Sequence, residues 1–166
     1  MEINKVFISL GSNLGDKTKN LLSAKFKIIN DIGNIIKESK IYESEPWGFK
    51  NQPNFLNQVI IIKCVYNANV VLQKCLKIEK EFGRIRKIKW APRIIDIDIL
   101  YFNNEIINEK GLLIPHPQIE NRNFVLIPLK EIEKKYLHPG INKTHEDLLK
   151  LSEDNSKVSE YGMGLK

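Results

Sequence analysis

The sequence predicts an α+β fold with a mainly antiparallel sheet, and two observations carry this prediction. Segments with strand character and segments with helical spacing follow one another in the order βαββαβ, which is a recurring supersecondary unit. Strand segments that are neighbours in sequence favour antiparallel pairing, and we expect the helices to pack on one face of the sheet. A hairpin strand and further helices follow this unit.

The first half of the unit is a strand, a helix and a second strand. Val6–Leu10 is a short apolar strand. Asp16 suits the N-cap of a helix, because apolar residues recur after it at helical spacing. Gly33 stands where a glycine commonly follows a helix, and Asn34–Glu43 is then predicted as one strand.

The second half repeats the pattern. Phe55–Tyr66 is dense in Val and Ile and is the strongest strand. A helix opens at Asn69, and a strand follows over Ile94–Phe102. Because Asn-Asn suits a two-residue turn, we expect Asn103-Asn104 to lead into a hairpin strand over Glu105–Ile107.

The C-terminal part is predicted to contain two short helices and a loose end. Asn123–Lys135 is partly helical in pattern, and Thr144–Leu151 has the length of a short helix. The chain from Ser152 onwards is polar, as loose termini commonly are. We therefore expect a single domain over residues 1–151 and a loose tail over residues 152–166.

Length and composition exclude several classes of protein. The chain has 166 residues, which corresponds to one domain at roughly 150 residues per domain. Hydrophobic residues make up 42% and charged residues 28%, which are values of globular proteins rather than disordered ones. Apolar stretches such as Val59–Ile62 are far shorter than the ~20 residues of a membrane span. We therefore expect a globular protein without a membrane segment.

The charge and the cysteines indicate the kind of partner and the compartment. Lys and Arg number 26 against 20 Asp and Glu, giving a net charge of +6 that favours nucleic acid, acidic lipid or phosphorylated small molecules. Cys64 and Cys75 are too few for a disulfide scaffold and are interpreted as buried small hydrophobic residues. With no signal-peptide pattern at the start, a cytoplasmic location is expected.

The strongest chemical signal is a pair of aspartates in one predicted strand. In Ile94–Leu100 the residues alternate, so Asp96 and Asp98 lie on one face and the isoleucines on the other. Two carboxylates at this spacing could hold one Mg²⁺ or a pair of ions, and Mg²⁺ prefers a few carboxylates together with phosphate oxygens. An ordinary amphipathic strand with both aspartates in water is about equally compatible with the spacing.

A basic segment precedes the aspartates. Residues Arg84–Arg93 contain five cationic side chains and Trp90. Arginines recognise phosphate in bidentate fashion, and a tryptophan can stack on a flat ring. Cations beside a carboxylate and metal pair are what polyphosphate chemistry requires. Taken alone, such a run is more often a solvated loop.

Three further features are weaker. Phe55 and Asn57 share a strand face, and an aromatic ring beside an amide could hold a planar heterocycle. Taken alone, a core position for Phe55 and a turn cap at Asn57 are the more common explanation. His116 lies between two prolines in a stiff loop that could orient it towards a phosphate. The segment Gly11–Gly15 lacks the spacing of a phosphate-binding loop and is interpreted as a tight turn.

Taken together and in this order, these segments resemble the 6-hydroxymethyl-7,8-dihydropterin pyrophosphokinase family of folate biosynthesis. The most specific of them reads W-x-P-R-x-x-D-x-D-I. The resemblance spans nearly the whole chain, and the matching segments are FISLGSNLGD at Phe7–Asp16, SKIYESEPWG at Ser39–Gly48, PNFLNQV at Pro53–Val59, IEKEFGRIR at Ile78–Arg86, WAPRIIDIDILYF at Trp90–Phe102 and IPHPQIENRNFVLIPL at Ile114–Leu129.

The resemblance implies a ferredoxin-like fold and a reaction in which MgATP donates its β,γ-pyrophosphoryl group to the 6-hydroxymethyl oxygen of the dihydropterin, releasing AMP. It implies that Asp96 and Asp98 hold two Mg²⁺ ions that bridge the phosphates of ATP. Its substrates are ATP and the pterin, and neither nucleic acid nor membrane is implied. We expect a monomer.

The resemblance also implies roles for residues around the aspartates. Asn57 would hydrogen-bond the pterin, Phe55 and Phe124 would sandwich its ring, and a mobile loop would meet the pterin edge. The loop residues are Ser44, Glu45 and Trp47. The implied basic lid contains Arg84 and Arg93 as catalytic residues, and Arg86 and Trp90 as ATP-binding residues. The other expected ATP contacts are Glu79, Ile99, His116 and Arg122.

Two alternatives from other classes are weighed against this reading. A ferredoxin-like RNA-binding module would fit the positive charge, but the aromatic signature of such modules is absent. A metal-dependent nuclease could use the same two aspartates.

Overall fold

The computed structural model describes residues 1–83 and 92–162, and a six-stranded sheet forms the centre of this part of the chain. The strands of this sheet lie in the order β5-β1-β4-β3-β8 along its path, with β2 also paired to β4, and every pairing is antiparallel. A separate two-stranded sheet pairs β6 with β7. The strands are β1 (Asn4–Ser12), β2 (Asn34–Glu38), β3 (Tyr42–Ser44), β4 (Phe55–Cys64), β5 (Asp96–Phe102), β6 (Ile107–Glu109), β7 (Leu112–Ile114) and β8 (Val158–Glu160). The helices are α1 (Lys17–Asp31), α2 (Ala68–Glu81), α3 (Asn123–Glu133) and α4 (His145–Leu151), with a 3₁₀ turn at Ile119–Asn121.

The α+β class and the βαββαβ order are confirmed, but the helices cover both faces of the sheet. On one face α1 and α2 pack on alternate residues of the central strands, such as Ile8 and Ile60. On the other face α3 and α4 pack on the residues between them, such as Phe7 and Ile61. For the two helices of the βαββαβ unit the expectation of a single face is confirmed, because α1 and α2 share one core. The helices α3 and α4, which follow the unit, cover the other face, where β1 and β4 are also apolar.

The first two helices begin at side-chain caps. Oδ1 of Asp16 accepts from the Lys19 backbone nitrogen at 3.1 Å, as expected for an N-cap. The second helix is capped by Asn67, whose Oδ1 accepts from Val70 N at 3.0 Å, so it begins at Ala68 and not at Asn69.

One predicted strand and one predicted hairpin differ in the structure. The segment Asn34–Glu43 is divided into β2 and β3. The expected hairpin after β5 is wrong, because Asn103 bonds back to β1: its backbone nitrogen donates to Lys5 O at 2.7 Å, and its Oδ1 accepts from Lys5 N at 2.8 Å. The chain therefore leaves β5, and β6 pairs with β7.

The expectation of a loose tail is wrong for residues 158–160. These residues form β8 and pair with β3, placing Val158 opposite Ser44 and Glu160 opposite Tyr42. Lys40 Nζ lies 2.6 Å from Glu160 Oε1. Residues 158–160 pair here because the edge of β3 leaves backbone groups that a further strand can bond.

Burial in the described residues agrees with the reading of the cysteines. Cys64 and Cys75 are buried thiols within the core beneath α1 and α2. In the same residues, none of the helices has the length and apolar character that crossing a membrane requires.

Candidate active site

A glycine in the sheet forms the floor of the site. Gly11 lies near the end of β1, directly opposite Asn57 of β4 and Asp96 of β5. A Cβ atom placed on Gly11 would lie 3.4 Å from Asn57 Oδ1, 3.6 Å from Phe55 Cδ1 and 3.9 Å from Asp96 Cβ. Paired residues of adjacent strands share a face of the sheet. The side chains of Asn57, Phe55 and Asp96 therefore surround the backbone of Gly11, which has no side chain. The tight turn expected at Gly11–Gly15 does not include Gly11, which is part of the strand.

The two aspartates lie on this same face. Asp98 is opposite Ser9 and Asp96 is opposite Gly11, whereas Ile97 and Ile99 are buried with the helices α1 and α2 on the other side. The predicted alternation is therefore confirmed. Both carboxylates are partly accessible, as a site for a charged ligand requires.

Arg93 lies beside the first carboxylate. Its Nη1 is 3.1 Å from Asp96 Oδ2, and its side chain is 11% exposed against 21% for Asp96. A guanidinium so little exposed interacts through a lower dielectric than a surface ion pair does. It brings a fixed positive charge to the edge of the carboxylate pair.

His116 brings a neutral hydrogen-bond donor to the site. Burial and the nearby Arg122 lower the pKa of His116 to about 4, although Asp96 acts in the opposite direction. Its Nδ1 accepts from the Gln118 backbone nitrogen at 3.1 Å. The proton of the neutral ring is therefore on Nε2, where it can be donated to an acceptor such as a phosphate oxygen.

Arg122 connects the aspartates with the aromatic residues. Burial lowers the pKa of Arg122, whereas the charges of Asp98 and Asp96 raise it, so the guanidinium interacts electrostatically with both carboxylates. The guanidinium carbon lies 4.7 Å from the centre of the Trp47 ring and 5.7 Å from that of Phe124. Its Nε is buried and makes no hydrogen bond to any of the described residues. A buried donor of this kind needs an acceptor, which an anionic ligand would supply.

The amide of Asn57 is held in one orientation. Its Nδ2 donates to Ser44 Oγ at 2.8 Å and to Tyr42 O at 3.3 Å, and both Asn57 and Ser44 are almost fully buried. Because both hydrogens of the amide point to β3, Oδ1 is the group presented towards Gly11. The site therefore offers a fixed acceptor beside the ring of Phe55.

Two of the expected ATP contacts are buried residues beside β5 or within it. Glu79 of α2 is 1% exposed, and its Oε2 accepts from the Ile97 backbone nitrogen at 2.7 Å. The side chain of Ile99 is packed in the core beneath α1 and α2. The side chain of Ile99 does not share the face of the aspartates, and the contacts of both residues with a nucleotide stay predictions. Arg84, Arg86 and Trp90 lie outside the described residues.

Asn13 is a central residue that sequence reasoning missed. Its Nδ2 donates to Gln52 Oε1 at 2.8 Å and to Pro53 O at 3.0 Å, while its Oδ1 accepts from Arg93 N at 2.9 Å. It therefore ties the loop before β4 to the loop before β5. A polar residue just after an apolar strand was the available signal, but nothing local in the sequence names its partners.

The donor set suits a magnesium ion better than a transition metal. Within residues 1–83 and 92–162, no group of three or more His, Cys, Asp or Glu side chains is placed to hold a metal ion. Two carboxylates do suit Mg²⁺, which completes its shell with water and the phosphate oxygens of a substrate. The residues present therefore fit Mg²⁺ brought in with a nucleotide.

Comparison with known proteins places the chain in a family. A protein from Aquifex aeolicus, named 2-amino-4-hydroxy-6-hydroxymethyldihydropteridine pyrophosphokinase, is 46% identical over 138 residues, which cover 83% of this chain and 86% of that protein. A Bacillus subtilis protein of the same name is 36% identical over 160 residues, covering 95% of this chain and 96% of its own length.

Solved structures agree on the fold. Crystal structures of wild-type Plasmodium falciparum HPPK-DHPS with STZ-DHP and of its A437G variant with STZ-DHP match with TM-scores of 0.73 and 0.72, each at 18% identity. Both cover 90% of this chain, which spans 43% and 45% of those longer chains. The model of the 7,8-dihydro-6-hydroxymethylpterin-pyrophosphokinase (HPPK) family matches residues 7–134. The chain therefore belongs to the 7,8-dihydro-6-hydroxymethylpterin-pyrophosphokinase family.

Proposed function

We propose that Asp96 and Asp98 hold two Mg²⁺ ions beneath the triphosphate of ATP, next to a pterin pocket formed around Gly11. The reaction follows from the family: the chain is an ATP-dependent diphosphotransferase of folate biosynthesis that transfers pyrophosphate from ATP to hydroxymethyldihydropterin. The observation that carries the proposal is the strand register, because it brings both aspartates to the same face as Phe55 and Asn57.

The chemistry demands positioning and charge neutralisation rather than a strong base. The hydroxymethyl oxygen forms a bond to the β-phosphorus, the bond from that phosphorus to the oxygen bridging the α-phosphate breaks, AMP leaves, and the hydroxyl proton is released. Mg²⁺ held by Asp96 and Asp98 would neutralise the phosphate oxygens and so lower the negative charge that the incoming oxygen meets. We assign no general base, since aligning the two substrates supplies much of the rate.

The cationic and neutral donors act on the phosphates. Arg93 and Arg122 place positive charge beside the carboxylates, where negative charge moves during transfer. The neutral His116 donates from Nε2 to a phosphate oxygen. Arg84, with Arg86 and Trp90 in the same basic segment, is proposed to close over the substrates and exclude water.

The aromatic residues and the amide hold the pterin. Oδ1 of Asn57 accepts from the N–H groups of the pterin edge, and the rings of Phe55 and Phe124 lie on its two faces. Ser44 fixes the Asn57 amide, and the loop containing Glu45 and Trp47 closes the pocket from the side. Stacked aromatic rings contribute roughly 0.5–1.5 kcal/mol each beyond the area that they bury.

The wider setting is also proposed. ATP and the dihydropterin are the small-molecule partners. The net positive charge of the chain attracts the triphosphate of ATP rather than a nucleic acid. Family membership favours this activity over the RNA-binding module and the nuclease. A monomer in the cytoplasm remains the expectation from the sequence.

The test is the product of ATP turnover. We expect AMP, formed only when both hydroxymethyldihydropterin and Mg²⁺ are present. Phe124→Ala should raise the KM for the pterin roughly tenfold, since one of the two rings proposed to stack on the pterin is lost. Its control is Phe26→Ala, because Phe26 is 60% exposed on α1. Formation of ADP, or turnover that does not need the pterin, would contradict the proposal.

A further inference from the structure

The helix that carries Phe124 lacks a cap of its own. Arg122 occupies the N-cap position of α3 and makes no side-chain capping hydrogen bond. The first backbone N–H groups of a helix need acceptors from outside it. Here the acceptor comes from 31 residues further along the chain: Asp154 Oδ2 accepts from the Asn123 backbone nitrogen at 2.8 Å.

A second hydrogen bond joins Asn123 and Asp154. Asn123 Nδ2 donates to the backbone oxygen of Asp154 at 2.9 Å. The carboxylate of Asp154 also suits this place electrostatically, because the N-terminal end of a helix carries a partial positive charge. Asn123 stands between Arg122 and Phe124, so its backbone sets the direction in which both side chains leave the helix.

Asp154 is itself held in place. Its Oδ1 accepts from the Ser156 backbone nitrogen at 2.9 Å and from the Ser156 hydroxyl. Burial of Asp154 acts against ionisation, but hydrogen bonds from Ser156 and Asn123 outweigh it and keep the pKa of Asp154 below its usual value. The cap is therefore an ionised and fixed carboxylate at neutral pH.

The same tail reaches the other wall of the pocket. Lys157 N donates to Glu45 Oε1 at 2.7 Å, and Glu45 N donates to Lys157 O at 3.3 Å. Val158 then pairs with Ser44, whose hydroxyl holds the Asn57 amide. Within a few residues the tail thus contacts both sides of the proposed pocket. One side is the start of α3, which contains Phe124, and the other is the loop that follows Ser44.

We infer that residues 154–160, called here the C-terminal strap, hold the two walls of the pterin pocket at a fixed separation, with Asp154 as the positioning residue. The strap lies outside residues 7–134 that match the family model. The inference rests on the proposed pterin roles of Ser44, Glu45 and Phe124. The strap touches neither substrate and acts only through these residues.

The test compares the binding of the two substrates in the full-length chain. Asp154→Ala removes the cap, and we expect the dissociation constant of the dihydropterin, measured with a non-hydrolysable ATP analogue present, to rise roughly tenfold. The dissociation constant of the ATP analogue alone should rise clearly less than that of the pterin, because only the contact at Asn123 adjoins an ATP-side residue, Arg122, whereas the others lie on the pterin side. Asp154→Asn keeps one acceptor oxygen and should recover most of the pterin affinity.

The control variants distinguish a failure of the strap inference from a failure of the proposed pterin pocket. Glu153→Ala changes an exposed neighbour in the same tail and should leave both constants unchanged. If folded Asp154→Ala binds pterin normally while Phe124→Ala does not, the strap inference is overturned and the pocket stands. The inference is also overturned if Asp154→Ala weakens both ligands equally. If Phe124→Ala binds pterin normally, the pocket assignment fails and the strap inference fails with it.

Discussion

The backbone nitrogen of Ile97 donates to Oε2 of Glu79 at 2.7 Å, and Ile97 is the residue between the two aspartates of the site. Glu79 is 1% exposed and belongs to α2, the helix whose apolar side chains pack on the face of the sheet opposite to those aspartates. A buried carboxylate from α2 thus fixes the backbone from which Asp96 and Asp98 project. Placement of the two carboxylates depends on α2 as well as on the sheet.

Removal of this acceptor should affect stability and turnover together. Glu79→Ala leaves the Ile97 amide buried without its partner, which costs about 1–3 kcal/mol of unfolding free energy. We expect AMP formation to fall as the strand shifts, and Glu79→Gln, which retains an acceptor oxygen, to lose less of both. Urea unfolding and the AMP assay measure the two effects.

The control for Glu79 is two residues away. Glu81 pairs with Lys27 at the exposed surface of the same helix, at 3.2 Å. Surface pairs of this kind contribute at most about 1 kcal/mol, so Glu81→Ala should leave activity intact. If Glu79→Ala is as stable and as active as Glu81→Ala, Glu79 does not fix the strand.

Side chains of increasing size at Gly11 should progressively fill the pocket from its floor. The Cβ of Gly11→Ala meets its neighbours at 3.4 Å or more, which is ordinary contact, so we expect a folded protein with nearly normal pterin affinity. Gly11→Val adds two carbons towards Asn57 and Phe55 and should weaken pterin binding by about tenfold or more. Titration of the pterin into both variants measures this, and equal affinity in the two would contradict a floor at Gly11.

The stability of the protein should fall in mild acid because of His145. Its Nδ1 donates to Glu133 O at 2.7 Å, because a carbonyl oxygen can only accept, and its Nε2 lies 3.1 Å from the Tyr101 hydroxyl, which can donate to it when the buried ring is neutral. Burial lowers the pKa of His145 to about 4, whereas an exposed histidine titrates near 6.5. Between these values the unfolded chain binds a proton that the folded chain does not, so stability is retained above pH 6.5 and lost as the pH falls towards 4.

Urea unfolding at a series of pH values tests this dependence. We expect the unfolding free energy to drop by about 1–3 kcal/mol between pH 6.5 and pH 4 on account of this residue. His145→Asn should be less stable at pH 7 but should lose less over the same interval. A variant with the same slope as the natural chain would show that His145 does not carry the effect.

The local parts of this account could be predicted from the sequence. Alternation along Ile94–Leu100 places both aspartates on one face, and the strand and helix patterns give the βαββαβ order, because each depends only on side chains a few residues apart. The cap at Asp16 belongs to the same class of local signal.

The parts that sequence reasoning missed are set by contacts between distant segments. Gly11 belongs to the floor only because β4 and β5 both pair with β1 at that point. Asn13 finds its partners 39 and 80 residues away, in the loops before β4 and β5. The strap pairs with β3 although its own sequence is polar and short, since the edge of the sheet supplies the partner.

Metal binding tests the central claim most directly, because it does not depend on turnover. Mn²⁺ can be titrated in place of Mg²⁺ and followed by electron paramagnetic resonance in the presence of a non-hydrolysable ATP analogue. We expect two ions per natural chain and per Asp31→Ala chain, in which the altered residue is exposed at the end of α1. Asp98→Ala should bind Mn²⁺ at least about tenfold more weakly. Unchanged number and affinity of bound ions in a folded Asp96→Ala, Asp98→Ala double variant would contradict the claim that these two carboxylates anchor the metal.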